Sequence, residues 1–250
     1  MIFYFTATGN SRLVASELAH LLQQEAYDLT AVLPDTFHHN ETVGIVCPVH
    51  AWGVPSIMPA FLQKICLPLQ RADYIYVILC CGDDIGYADN HIRKMLASLD
   101  VVPDALFSVC MPNTYVALPG FDVDTLSQQQ HKLENARKRI ENIATIVEDR
   151  RVTTNVVRGR MAHFKSGPLH WAFNRFLIED SYFRVNKTAC TQCKRCAAAC
   201  PLGNIRLQPY PTWHHHCLTC FACYHVCPHH AINFRLSGGK KGQYHTPKSF

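Results

Sequence analysis

Over its first 150 residues the chain alternates short apolar runs with segments whose apolar positions recur every three or four residues. Ile2 to Phe5, Leu29 to Leu33, Val43 to Cys47, Tyr74 to Cys81 and Ala105 to Met111 are mostly continuous runs, the pattern of parallel strands buried on both faces. A helix is predicted from about Ser11 on the spacing of Leu13, Val14, Leu18, Leu21 and Leu22. Others are predicted at about Pro55 to Ile65 and Asn90 to Leu99, and a long one at about Thr125 to Asp149 on Leu133, Ala136, Ile140, Ile143 and Val147. Five strands with helices between them predict an α/β, doubly wound, five-stranded parallel sheet over residues 1–150, with its ligand crevice at the carboxyl ends of the strands.

Beyond this region the periodicity weakens. Residues 151–183 hold a basic stretch, Arg158 to Lys165, and an aromatic one with Trp171, Phe173 and Phe176, read as a linker with a connecting helix. Residues 237–250 are rich in Gly and Lys and read as a flexible tail.

With 48% hydrophobic residues the chain can build a real core, which excludes a disordered or collagen-like protein. The net charge of +5 conceals a division: residues 1–150 carry 10 basic and 17 acidic side chains, and residues 151–250 carry 14 and 2. No leader is visible, and the longest apolar run, Tyr74 to Cys81, is too short to span a bilayer. A cytoplasmic protein with no membrane partner is therefore expected. The 13 cysteines, an odd number in a reducing compartment, point to thiol or metal chemistry rather than disulfides.

Eight of those cysteines fall within 190–227, and the segment repeats itself at an offset of 27: Cys190/Cys217, Cys193/Cys220, Cys196/Cys223, Cys200/Cys227 and Pro201/Pro228. Each copy reads C-x2-C-x2-C-x3-C-P. Three thiolates at every third residue can wrap one face of a cubane cluster, and the fourth cysteine of each copy ligates the other cluster. The expected ligand sets are Cys190, Cys193, Cys196 and Cys227 for one [4Fe-4S] cluster, and Cys217, Cys220, Cys223 and Cys200 for a second. A structural zinc site has no use for a third cysteine at this spacing. His214, His215 and His216 are read as solvated neighbours of the second cluster. Residues 184–236 resemble a bacterial-type ferredoxin with two [4Fe-4S] clusters, which implies a small α+β domain of two short hairpins and two helices related by a pseudo-twofold axis. Two such clusters, each −2 with its thiolates, offset part of the basic charge.

The loop after the first strand reads Thr6-Ala-Thr8-Gly9-Asn10-Ser11 and runs into a helix. Hydroxyls, a glycine and a helix N-terminus together suit an anion. Without a Walker lysine or three glycines, the loop suits a monophosphate ester such as FMN. Capping of the helix by Asn10 or Ser11 is the plainer reading, but it does not ask for Thr6 and Thr8. This loop is similar to the FMN-phosphate loop of flavodoxins. Where that family carries its ring-binding loops stand Pro48-Val-His50-Ala-Trp52-Gly53 and Cys81-Gly82-Asp83-Asp84-Ile-Gly86-Tyr87, so the resemblance implies ring contacts from Trp52, Gly53, Gly82, Asp83 and Tyr87. Asp83 and Asp84, if they point inward, would lower the flavin potential.

The whole chain resembles the microbial flavodoxin–ferredoxin fusions known as EFR-family ferredoxins. That resemblance implies a flavodoxin-like FMN domain followed by a two-cluster ferredoxin domain. Its expected function is electron transfer between FMN and the two clusters, with redox proteins as partners and no nucleic acid. The alternatives are an FMN-dependent oxidoreductase fed by the clusters, with His50 as a proton donor, and a flavin-free iron–sulfur module that binds a partner. No catalytic residue is assigned, and the pattern says nothing of oligomeric state.

Overall fold

The computed structural model describes residues 1–33 and 42–250. Among these, β1 (Ile2–Tyr4), β3 (Thr42–Pro48), β4 (Tyr74–Cys81) and β5 (Ala105–Cys110) coincide closely with predicted apolar runs. With β2 (Ala26–Asp28) and β6 (Thr153–Asn155) they form one parallel sheet in the order β2-β1-β3-β4-β5-β6. Its first five strands follow the flavodoxin-like order, whose switch point lies between β1 and β3. Every residue of β4 is buried, as expected of a central strand covered on both faces.

The helices cover the sheet as the connections demand. α1 (Asn10–Leu21) and the long α5 (Leu126–Glu148) pack on one face, where Leu13, Leu18, Ile140 and Ile143 meet Ile78 and Phe107. α2 (Met58–Lys64), α3 (Cys66–Gln70) and α4 (Ala88–Ala97) lie on the other, with Met58, Leu62, Ile92 and Leu96 against Phe3, Ile45 and Val77. α5 starts with a capping box in which the Thr125 hydroxyl and the Gln128 side chain satisfy each other's backbone N–H groups.

Three expectations change. The second strand is Ala26–Asp28 rather than Leu29–Leu33, because the Asp28 carboxylate accepts from both Thr30 N (2.8 Å) and its hydroxyl (2.7 Å) and turns the chain. Val32, counted in the apolar run, is 97% exposed. The sheet has six strands rather than five: Thr153–Asn155 pairs in register with Ala105–Phe107 at the sheet edge, where polar residues suffice. The tail is packed rather than loose. Tyr244 is buried, Gln243 Nε2 donates to the carbonyls of Tyr224 (2.6 Å) and Cys227 (2.8 Å), and Thr246 Oγ1 donates to Thr8 O (2.8 Å).

The connecting stretch continues from β6 into α6 (Ala162–Phe164), a π-helical turn (Lys165–Leu169) and α7 (His170–Phe176). The small α+β domain then pairs β7 (Phe183–Val185) with β10 (Ile232–Phe234), and β8 (Ile205–Leu207) with β9 (Pro211–Trp213), both antiparallel, beside α8 (Arg195–Ala198) and α9 (Ala222–His225). Its backbone repeats at the offset read from the cysteines. Gln192 and Thr219, Lys194 and Phe221, and Gly203 and His230 all adopt positive φ. Asn204 N donates to Cys200 Sγ at 3.3 Å as Ala231 N does to Cys227 Sγ at 3.2 Å. An apolar cluster of Phe183, Phe221, Tyr224 and Phe234 also takes in Val116 and Ala117 from the segment after β5, which joins this domain to the sheet.

Candidate functional site

The cysteines of the small domain gather into two quartets. Cys190, Cys193, Cys196 and Cys227 line one small hollow, and Cys200, Cys217, Cys220 and Cys223 line the other. This is the crossed pairing expected from the repeat, with the last cysteine of each copy reaching across to the opposite trio. The quartets differ in setting. The first is an outer one, with Cys193 exposed and Lys194 and Arg195 at its edge. The second is an inner one, with Cys223 buried, and burial pushes the Cys220 thiol up to about 11 and Cys217 up to about 12. Desolvated thiols crowded this closely are poor anions by themselves, and a multiply charged iron core is what makes such a donor set favourable. Backbone N–H groups already point at the sulfurs, from Asn204, Thr219 and Ala231.

The three histidines beside Cys217 are held by their backbones: His214 N and His216 N donate to Asn204 Oδ1, and His215 N donates to Asp180 Oδ2. His225, in α9, donates from Nε2 to Thr114 O (2.8 Å) and accepts from Tyr244 N at Nδ1 (3.2 Å), so only its neutral form fits; burial lowers it to about 4.

A cavity of about 980 Å³ opens at the carboxyl ends of β1, β3, β4 and β5. Of the predicted flavin residues, Thr6, Thr8, Asn10, Ser11, Trp52, Gly82 and Asp83 line it. Gly9, Gly53 and Tyr87 do not. Gly9 is the N-cap of α1 at φ +109, and a Cβ there would strike Thr246 at 2.8 Å. Gly53 lies against the His170 ring, 2.2 Å from where a Cβ would stand. Tyr87 takes the N-cap position of α4, donates its backbone N–H to Ser166 Oγ (2.6 Å), and turns its hydroxyl to His163 Nε2 (3.1 Å). Its expected ring contact is therefore replaced by packing under the connecting segment.

The loop after β1 meets the requirements of an anion site. The Thr6 hydroxyl accepts from Gly9 N (3.1 Å), and no side chain caps the first turn of the 12-residue α1. Asn10 donates from Nδ2 to Pro112 O (2.9 Å), which leaves its buried Oδ1 without a partner, as a hydroxyl-bearing ligand would use. A Cβ on Gly82 would stand 1.7 Å from Asn113 Oδ1, so a side chain here would displace Asn113 from the wall. The buried Tyr115 hydroxyl, also in the cavity wall, lacks a partner as well.

Charge at the rim departs from expectation. Asp83 pairs with Lys132 (3.1 Å) and Asp84 with Lys165 (2.5 Å), so neither carboxylate stands as an uncompensated negative charge. Lys132 also pairs with Asp124 (2.9 Å), which accepts from Asn113 N (2.8 Å) and Nδ2 (3.1 Å). Burial acts to raise the Asp124 carboxyl, but these donors outweigh it and hold it below its usual range. A lowered carboxyl stabilises the fold above its unfolded value of about 3.9 and loses that contribution as pH falls through its folded value. Asp124→Ala should accordingly cost about 1–3 kcal/mol at neutral pH, with the difference from wild type shrinking in urea titrations below about pH 4.

His50 lies in the wall with its ring edge-on to Phe173 (5.2 Å), and burial lowers it to about 4. A histidine lowered in this way favours its neutral form, which still keeps one ring N–H as a donor.

Two stretches of the wall carry no signal in the sequence. Leu169, Ala172, Phe173 and Leu177 of the connecting segment line the cavity, as do Leu218, Thr219, Cys220 and Phe221 of the small domain. The cavity thus touches a cysteine of the inner quartet. Asn113 and Tyr115 had one usable signal: they follow a strand whose neighbours' loops were already assigned to the crevice.

Residues 189–232 match the family described as a 4Fe-4S dicluster domain. The small domain is an iron–sulfur domain, which suggests electron transfer. No curated protein matches the chain. Among solved structures, the Trp repressor binding protein from Bacillus subtilis is similar over 57% of this chain and 96% of its own, at 10% identity and a TM-score of 0.37. No helix among the described residues is long and apolar enough to cross a membrane.

Proposed function

We propose that this chain is an electron-transfer protein that passes single electrons between FMN, held in the cavity, and two [4Fe-4S] clusters, held by the two cysteine quartets. The observation that carries this reading is Cys220: it belongs to the inner quartet and also lines the cavity formed by the loop after β1 and Trp52. When bound, FMN supplies a centre that exchanges one or two electrons. Thr6, Thr8 and the uncapped turn of α1 would hold its phosphate, Asn10 a hydroxyl of its side arm, and Trp52 and the backbone at Gly82 its ring.

The gradient of burial between the quartets supports an order. The outer quartet, exposed at Cys193 and edged by Lys194 and Arg195, is where an acidic redox protein would dock; the inner quartet relays to the cavity. Anaerobic reconstitution with iron, sulfide and FMN should yield about eight irons and one FMN per chain. Full iron with no retained flavin would favour the flavin-free module instead.

A further inference from the structure

Two cysteines outside both quartets come together at the carboxyl end of the sheet. Cys81 of β4 and Cys110 of β5 are direct register partners on adjacent parallel strands, with side chains on the same sheet face and sulfurs 3.7 Å apart. Neighbouring strands lie about 4.8 Å apart, inside the Cα separation of about 4.4–6.8 Å that a disulfide accepts. Bonding the sulfurs at about 2.0 Å needs a shift of under about 2 Å, within the reach of side-chain rotation at the ends of two strands.

We propose that Cys81 and Cys110 form a reversible dithiol–disulfide pair, a thiol-oxidation site at the rim of the cavity. The two sulfurs have unequal roles. Cys110 is the half-buried one, open enough to meet an oxidant, whereas Cys81 is buried beneath it. The Cys81 thiol can donate to the Cys110 sulfur, and this, with Lys132 nearby, brings Cys110 to about 7 against the opposing pull of burial and of Asp83 and Asp84. Cys110 is thus the attacking thiolate and Cys81 the resolving thiol.

The oxidant is a small-molecule disulfide. The Cys110 thiolate attacks one of its sulfurs, forming a mixed disulfide and releasing one thiolate. Cys81 gives up its proton to solvent and attacks Cys110 Sγ, forming the Cys81–Cys110 bond and releasing the second thiolate. Two protein thiols are oxidised and one external disulfide is reduced to two thiols. Cys80, next in sequence, cannot substitute for Cys81, because it points to the opposite sheet face among Val14, Ile78 and Val109. The pair is also placed to act on the cavity, since Gly82 and Asp83 follow Cys81 directly and the Cys110 thiol can donate to Asp83 O (3.2 Å). The proposal does not depend on the flavin reading.

The test is anaerobic equilibration of the full-length, cluster-loaded protein with oxidised and reduced glutathione, followed by alkylation and peptide mass mapping. The expected result is a Cys81–Cys110 cross-link with two fewer alkylatable thiols, restored by dithiothreitol. Cys81→Ser should stop at a stable glutathione adduct on Cys110, and Cys110→Ser should leave Cys81 as a free thiol. Persistence of both thiols in pure oxidised glutathione would overturn the proposal. So would a Cys110 adduct in the wild-type protein that never passes to Cys81, or a bridge from Cys110 to any other cysteine.

Discussion

Cys220→Ala is expected to lower the iron content of the reconstituted protein from about eight to about four per chain and to disconnect the outer cluster from the flavin. The residue is singular among the cysteines of the chain. Its quartet partners Cys200, Cys217 and Cys223 line the inner hollow alone, whereas Cys220 lines that hollow and the 980 Å³ cavity together. Removing its thiolate leaves the inner iron core one ligand short at the position facing the cavity. The outer quartet shares no residue with the inner one, so its cluster should survive, as Cys193 and its neighbours lie on the far copy of the repeat. In the variant, reductant delivered by an outer partner should still reduce the outer cluster while the flavin absorbance stays unbleached. A stopped-flow trace at the flavin band reads this directly. Unchanged flavin bleaching with only four irons would mean that electrons reach the cavity by another route.

Thr8→Asp should abolish flavin retention while leaving the clusters intact. Thr8 lines the cavity in the loop that leads into α1, and no side chain caps the first turn of that helix. A carboxylate in such a loop is compatible with the fold, because the helix N-terminus favours negative charge by about 0.3–1 kcal/mol. It is incompatible with a phosphate in the same place. Two like charges about 4 Å apart at the effective dielectric of a protein surface repel by about 4 kcal/mol, which corresponds to about a thousandfold in affinity. The fold gains slightly while the ligand is lost, so the melting temperature without flavin and the flavin dissociation constant should both rise. Equilibrium dialysis against FMN measures the second quantity, and an unchanged dissociation constant would place the phosphate elsewhere.

The parts of this architecture legible in the sequence were those where one residue type answers to one physical demand. The central strands could be read because burial on both faces requires uninterrupted apolar side chains, and Tyr74–Cys81 matches its predicted bounds to the residue. The cysteine repeat could be read because ligand spacing is set by covalent geometry, and the crossed quartets follow from it. The edge strands could not. Ala26–Asp28 and Thr153–Asn155 are short and half-exposed, and backbone pairing rather than side-chain hydrophobicity defines them. Tyr87 was misplaced because a loop's aromatic residue and a helix's N-cap look alike until the helix start is known. Asp83 and Asp84 were legible as acidic but not as paired, since Lys132 and Lys165 come from segments distant in sequence. The cavity wall from Leu169 to Leu177 and from Leu218 to Phe221 is a tertiary fact of the same kind, and it joins the two halves of the chain at one site.

The division of charge also takes on structural meaning. Asp122, in the acidic half, meets the C-terminal segment, where Gly242 N donates to its Oδ1 at 2.9 Å, and His225 Nε2 of the small domain donates to Thr114 O after β5. The basic surplus of the second half is then left in part for the outer quartet, at Lys194 and Arg195.

The most direct measurement of the central claim is an anaerobic reductive titration of the reconstituted protein, followed by absorbance and EPR. Two one-electron clusters and one two-electron flavin should together accept about four electrons per chain, with cluster signals appearing and the flavin band bleaching in the same sample. An endpoint of about two electrons, with full iron and no flavin band, would mean that the cavity holds no flavin and that the clusters do not exchange electrons with one.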